Sequence, residues 1–84
     1  MHVAFRTSVE DVLNACERLR SLRVIPLAFS GTETGEPSVT GWMPAAAVYF
    51  RDPDGHLLEY VAMLEEPPHP ELGVVPWSVW SDTR

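Results

Sequence analysis

Lysine is absent from this 84-residue chain, cysteine occurs once, and no apolar run is long. Each shortage closes off a class of function. The six basic residues, all arginine, stand against twelve acidic ones, for a formal net charge of −6. With no basic stripe to displace counterions from a phosphate backbone, nucleic acid is excluded as a partner. The single cysteine, Cys16, rules out an internal disulfide framework and points to a reducing compartment. The apolar runs are far too short to span a bilayer. The opening Met-His-Val-Ala-Phe starts on a strand pattern rather than a secretory leader. We therefore expect a cytoplasmic protein with no membrane association.

What is present suffices for one small folded domain. Apolar residues make up 45% of the chain and charged residues 21%, the balance of a globular protein rather than a disordered one. A chain of this length buries only roughly 60–65% of its extended surface, so its core is marginal and a partner subunit is a common source of extra stability.

His2 to Arg6 alternates, with Val3 and Phe5 on one face and His2, Ala4 and Arg6 on the other, which predicts a short strand. Ser8, followed three residues later by Asp11, offers a capping box. Val9, Val12, Leu13, Cys16, Leu19 and Leu22 then recur at helical spacing, and the helical element should close at Pro26. Leu27 to Ser30 is expected to form the second strand, and Gly31 to Gly41, rich in Gly, Thr, Ser, Glu and Pro, a surface loop. Ala45 to Arg51 reads as a third strand and His56 to Leu64 as a fourth. Asp52-Pro53-Asp54-Gly55 joins them as a hairpin turn, with Pro presetting φ and Gly accepting a positive one. We expect residues 1–64 to form the folded module. Residues 65–84, with three prolines at the start and Trp77 and Trp80 near the end, should be a tail packing on it or on a partner subunit. The first two strands, joined through a helix, should run parallel, with the helix on one face of the sheet and the other face open.

Strand four carries the chemical signal. Leu58, Tyr60 and Ala62 share one face, while Leu57, Glu59, Val61 and Met63 share the other, so Glu59 is a carboxylate in an apolar row. Burial of an unpaired carboxylate costs several kcal/mol, so a metal, an arginine, a hydrogen-bond donor or water must compensate it. If Val3 and Phe5 face the helix, His2 turns to the same open face as Glu59. Imidazole and carboxylate together suit zinc and neighbouring divalent metals. His56 falls on the opposite parity from Glu59 and reads as a turn residue, and His69, between prolines, as exposed. Cys16 lies on the apolar stripe with no His or Asp placed to activate it, and reads as core. Trp77 and Trp80, three apart, read as packing residues on one face of a short helix. Arg51 is a candidate anion contact or a salt-bridge partner of Asp52 or Asp54.

The stretch Ala-Val-Tyr-Phe-Arg-Asp-Pro-Asp-Gly-His-Leu-Leu-Glu-Tyr-Val, residues 47–61, resembles the signature of the vicinal oxygen chelate superfamily, which includes glyoxalases, bleomycin-resistance proteins and extradiol dioxygenases. The opening His-Val-Ala-Phe and the closing Gly-Val-Val-Pro-Trp-Ser-Val-Trp are similar to the first strand and the tail of such proteins. The resemblance implies an α+β fold: one βαβββ module with a mixed four-stranded sheet in the order 1-4-3-2 and one helix on one face. It implies that His2 and Glu59 are ligands of a divalent ion (Zn, Ni, Fe or Mn), with Glu59 also moving a proton. Family sites form in a cup between two modules, and this chain supplies one, so the resemblance implies either a homodimer or a fragment of a longer protein. The implied function is a glyoxalase-like metal-dependent enzyme, of lyase, isomerase or dioxygenase type, acting on a small molecule with adjacent oxygens. The competing readings are a non-catalytic drug-binding resistance protein and a truncated module without activity.

Overall fold

The computed structural model describes residues 2–83, and for His2 the backbone alone. Five strands and two helices follow in the order β1 (His2–Arg6), α1 (Val9–Ser21), β2 (Ser38–Thr40), β3 (Ala45–Arg51), β4 (Leu57–Met63), β5 (Val74–Pro76) and α2 (Trp77–Ser81). They build one mixed sheet of order β1-β4-β3-β2-β5. The expected α+β module with order 1-4-3-2 is therefore present, extended by a fifth strand. β1 runs parallel to β4, and the β4-β3 and β3-β2 pairs are antiparallel, so β1 and β2 point the same way as expected.

α1 starts where Ser8 Oγ accepts from the Asp11 amide at 3.1 Å, while the Asp11 carboxylate takes the Thr7 hydroxyl at 2.8 Å. The expected box thus recruits a residue from outside it. Val12, Ala15, Cys16 and Leu19 form the buried stripe, so Cys16 is a core residue. The helix stops at Ser21 rather than running on toward Pro26. The reason is a reversal in which the amides of Arg23 and Val24 donate back to the carbonyls of Arg20 (2.9 Å) and Leu19 (2.8 Å). This is a Schellman ending, and it holds Arg23 at φ 62°, a left-handed position that normally belongs to glycine.

The largest departure from the sequence-based expectation is the second strand. Leu27 makes a single antiparallel bridge to Tyr49, with amide-to-carbonyl contacts of 2.7 and 3.0 Å in the two directions, and the chain then leaves the sheet. The named strand is Ser38–Thr40, inside the segment expected to be loop; Ser38 pairs with Ala47, two residues along β3 from Tyr49. Leu27 and β2 therefore occupy one edge of β3, interrupted by an excursion over residues 28–37. A turn at Gly31 (φ 88°) redirects that excursion, and the Ser38 hydroxyl, rather than a strand carbonyl, satisfies the Phe29 amide at 3.0 Å.

The face of the sheet under α1 holds the core. Val39, Ala46, Val48 and Ala62 pack there against Val12, Ala15, Cys16 and Leu19, with Phe50 and Tyr60 partly buried beside them. The tail contributes to the same core. Trp80 of α2 is fully buried, edge-on to His69 at 5.4 Å. His69 is accordingly half-buried, not exposed as its proline neighbours suggest. β5 pairs with β2, and Gly41 secures the junction: its amide donates to Gly73 O at 2.7 Å and its carbonyl accepts from His69 at 2.8 Å. A Cβ at Gly41 would run into the His69 carbonyl oxygen, so only glycine fits that approach.

Candidate functional site

The hairpin between β3 and β4 folds from local chemistry. Asp52 Oδ1 accepts the amides of Asp54 (2.9 Å) and His56 (2.8 Å), Gly55 takes φ 85°, and its amide closes on the Asp52 carbonyl at 2.9 Å. The His56 ring nitrogen meets Asp52 Oδ2 at 3.0 Å. Burial raises the Asp52 pKa, but the hydrogen bonds from the His56 amide and ring outweigh it and leave that carboxyl below its ordinary value. Arg51 does not pair with either aspartate. Its guanidinium donates to the Gly55 carbonyl at 3.0 Å, bracing the same turn.

Because the turn is short and regular, it sets the register beyond it. Tyr49 stands opposite Glu59, Arg51 opposite Leu57, and Ala47 opposite Val61. On the other side of β4, Ala4 is the partner of Glu59 and residue 2 the partner of Leu57. Ala4, Glu59 and Tyr49 thus make one row across three strands, on the face opposite α1. Phe5, Tyr60 and Val48 make the matching row on the core face, where the Phe5 and Tyr60 rings lie 6.1 Å apart.

Glu59 is half-buried in this open face. One compensating partner among the described residues is the Tyr49 phenol, which donates a hydrogen bond to the carboxylate. Burial, then the neighbouring Glu59 charge and the hydrogen bond to it, push the Tyr49 pKa up to about 12. The phenol is therefore a fixed, neutral donor at neutral pH. Tyr49 also meets Phe29 of the excursion edge-on at 6.2 Å, and a cleft of about 320 Å³ opens there between Phe29, Tyr49, Arg51 and Leu57. The part played by Tyr49 was missed in the sequence: residues 49 and 59 are equidistant from Asp54, the middle of a connection of five residues, 52–56, whereas the four-residue turn signature would pair Tyr49 with Leu58.

The two expected ligands stand differently. Glu59 is on the open face, where a carboxylate can serve as a cation ligand. The side chain of His2 lies outside the described residues, and the register sets Ala4 directly beside Glu59. The strands that carry the two residues are neighbours, as expected. Among the described residues, the one cluster of three potential metal-binding groups is Asp52, Asp54 and His56, all at the turn. Asp52 is already committed there to two amides and an imidazole, so this cluster reads as a hairpin brace. Among the described residues, Glu59 belongs to no such group of three.

The profile of the glyoxalase/bleomycin resistance protein/dioxygenase superfamily matches residues 1–60, a span that includes β1, α1, the hairpin and Glu59. The chain belongs to that superfamily. Among curated proteins and among solved structures, no significant match was found. Membership accounts for the 1-4-3-2 order and for an open sheet face opposite the helix. No helix among the described residues is long and apolar enough to cross a membrane.

Proposed function

We propose that this glyoxalase-superfamily module acts as half of a metal-dependent enzyme, with a second copy of the chain closing the open face into a cup. The observation that carries this reading is Glu59: a half-buried carboxylate, oriented by the Tyr49 phenol, in the middle of the sheet face that the helix does not cover. Its surroundings favour association. Leu57, Val61 and Met63 flank it along β4, and Trp42 and Met43, both more than half exposed, lie at the Met63 end of the sheet.

In this reading Glu59 and His2 from each copy hold a divalent ion, giving four protein groups around a twofold axis. A metal bound there supplies electrophilic stabilisation to adjacent oxygens of a small substrate. Glu59 is the group that takes up and returns a proton at the substrate carbon. The Tyr49 hydroxyl helps to orient the Glu59 carboxylate toward the place where substrate and metal would meet. The apolar residues around Glu59 exclude water once the cup closes, which strengthens each polar contact inside it.

The test combines metal analysis of protein purified without chelator with mass in solution by sedimentation. We expect one divalent ion per two chains, lost in Glu59→Gln while the dimer persists. A stable monomer, or a dimer free of metal, would overturn the shared-site reading; the metal-free dimer would indicate a binding protein instead.

A further inference from the structure

Among the described residues, two arginines on the rim of the open face form no ion pair. Arg23 and Arg51 line a cleft of about 390 Å³ together with Ile25, Leu27 and Gly31. This cleft shares Leu27, Gly31 and Arg51 with the one that opens beside Tyr49, so the two adjoin on the way from Arg23 to the neighbour of Glu59. Arg51 donates to the Gly55 carbonyl, and among the described residues neither guanidinium forms an ion pair. Several carboxylates of the chain are committed elsewhere. Glu33 is taken by Arg20 at 2.8 Å, Glu36 by the amide and hydroxyl of Ser78, Asp52 by His56, and Glu59 by Tyr49. In a chain with a net charge of −6, two guanidiniums outside any ion pair among the described residues border one cleft, and none of the residues lining it is acidic.

The backbone gives a second reason to single out this place. Arg23 is the only non-glycine residue at positive φ among the described residues. The helix ending that requires this conformation would accept glycine without strain, yet the residue there is an arginine that lines the cleft. Retained strain of this kind marks positions where the side chain matters more than the local fold.

We infer that the Arg23–Arg51 cleft is an oxyanion-binding mouth, taking the carboxylate or phosphate of a small molecule whose body extends over Leu27 toward Tyr49 and Glu59. Guanidinium forks match the two oxygens of such a group, which lysine would not do as well. The inference deepens the proposed function by assigning its substrate class, an anionic small molecule, and rests on that reading only for what happens at the far end, beside Tyr49 and Glu59.

The test is an NMR titration of the full chain after EDTA treatment, followed at backbone amides and arginine Nε–H signals. Malonate and inorganic phosphate are added separately, with sodium chloride at matched ionic strength as the control. We expect saturable shifts at Arg23, Leu27, Gly31 and Arg51 with malonate or phosphate and none with chloride; the tighter of the two anions identifies the group preferred. R51Q should weaken binding by roughly ten-fold, the loss of one charge-assisted interaction. R23G should weaken it similarly while raising the melting temperature, because glycine relieves the left-handed strain; loss of binding there cannot be attributed to unfolding. Shifts that do not saturate, shifts spread equally over Arg6 and Arg18, or unchanged affinity in R23G would overturn the inference. Since metal has been removed, absence of a metal site leaves this result standing, and a failed titration leaves metal loading unaffected.

Discussion

Replacing Gly41 by alanine should cost this protein a large part of its stability, although the substitution adds one methyl group. The new Cβ would run into the His69 carbonyl oxygen and stand 3.2 Å from both the His69 carbonyl carbon and the Gly73 oxygen. All three are backbone atoms, so no side chain can swing aside. Relief requires residues 69–73 to move away from β2, which breaks the bonds of Gly41 to Gly73 (2.7 Å) and of His69 to Gly41 (2.8 Å). Two backbone hydrogen bonds at about 1 kcal/mol each, with added strain in the displaced segment, give a loss of roughly 2–4 kcal/mol. Domains of this size hold about 4–13 kcal/mol in total. The melting temperature should fall by roughly 10–25 °C. Thermal unfolding followed by far-UV circular dichroism, with tryptophan fluorescence as a second probe, measures this directly. Gly35→Ala is the control, since nothing lies within 4 Å of a Cβ there. A Gly41→Ala protein melting within a few degrees of the parent would refute the close approach and, with it, the docking of the tail against β2.

Two further outcomes follow from titrating groups. The Tyr49 phenol should ionise near pH 12, read from phenolate absorbance, and Glu59→Gln should bring it down toward its ordinary value of about 10. Its folded pKa lies above the unfolded one, so the stabilisation is complete below about pH 10 and disappears as pH rises through 12; an unshifted phenol in the parent would contradict the Tyr49–Glu59 bond. Asp52 has the opposite sign. Its folded pKa is lowered, so its contribution is complete above the ordinary carboxylate value of about 3.9 and is lost as pH falls through the depressed one. Melting temperatures between neutral pH and strong acid should therefore drop more steeply for the parent than for Asp52→Asn, and parallel acid profiles would count against the turn brace.

The parts of this fold that could be read from the sequence are those whose information is local. The Asp52–Gly55 turn carries its own donors, acceptors and positive-φ glycine, and the alternation on either side then determines that Tyr49 and Glu59 face away from the helix. The helix cap and the buried stripe at Val12, Cys16 and Leu19 were legible for the same reason. Strand two was not. Its pairing with β3 is split between Leu27 and Ser38–Thr40, and no periodicity survives an excursion over residues 28–37. β5 was equally hidden, because a three-residue strand is specified by its partner and by the Gly41 approach rather than by its own pattern. The end of α1 was misplaced since the reversal falls on an arginine, a residue that gives no warning of a left-handed conformation. For the site, the neighbouring of the strands bearing His2 and Glu59 was legible, and the role of Tyr49 was not, because it depends on a connection of five residues rather than four.

The tail strand also differs from β1 in what its outer edge offers. In the β2–β5 ladder the Gly41–Gly73 and Pro37–Trp77 contacts alternate with inward-bonding Val75, so Val74 and Pro76 are the residues whose backbone groups face outward. Pro76 has no amide hydrogen, which leaves the three-residue strand a single outward donor. At the opposite border, the Thr7 amide bonds inward to Val61, and by the same alternation Ala4 and Arg6 turn both their amides and their carbonyls away from β4. The β5 margin therefore offers one outward amide donor, against those of Ala4 and Arg6 at the β1 margin. Strand addition is accordingly less favoured along β5 than along β1.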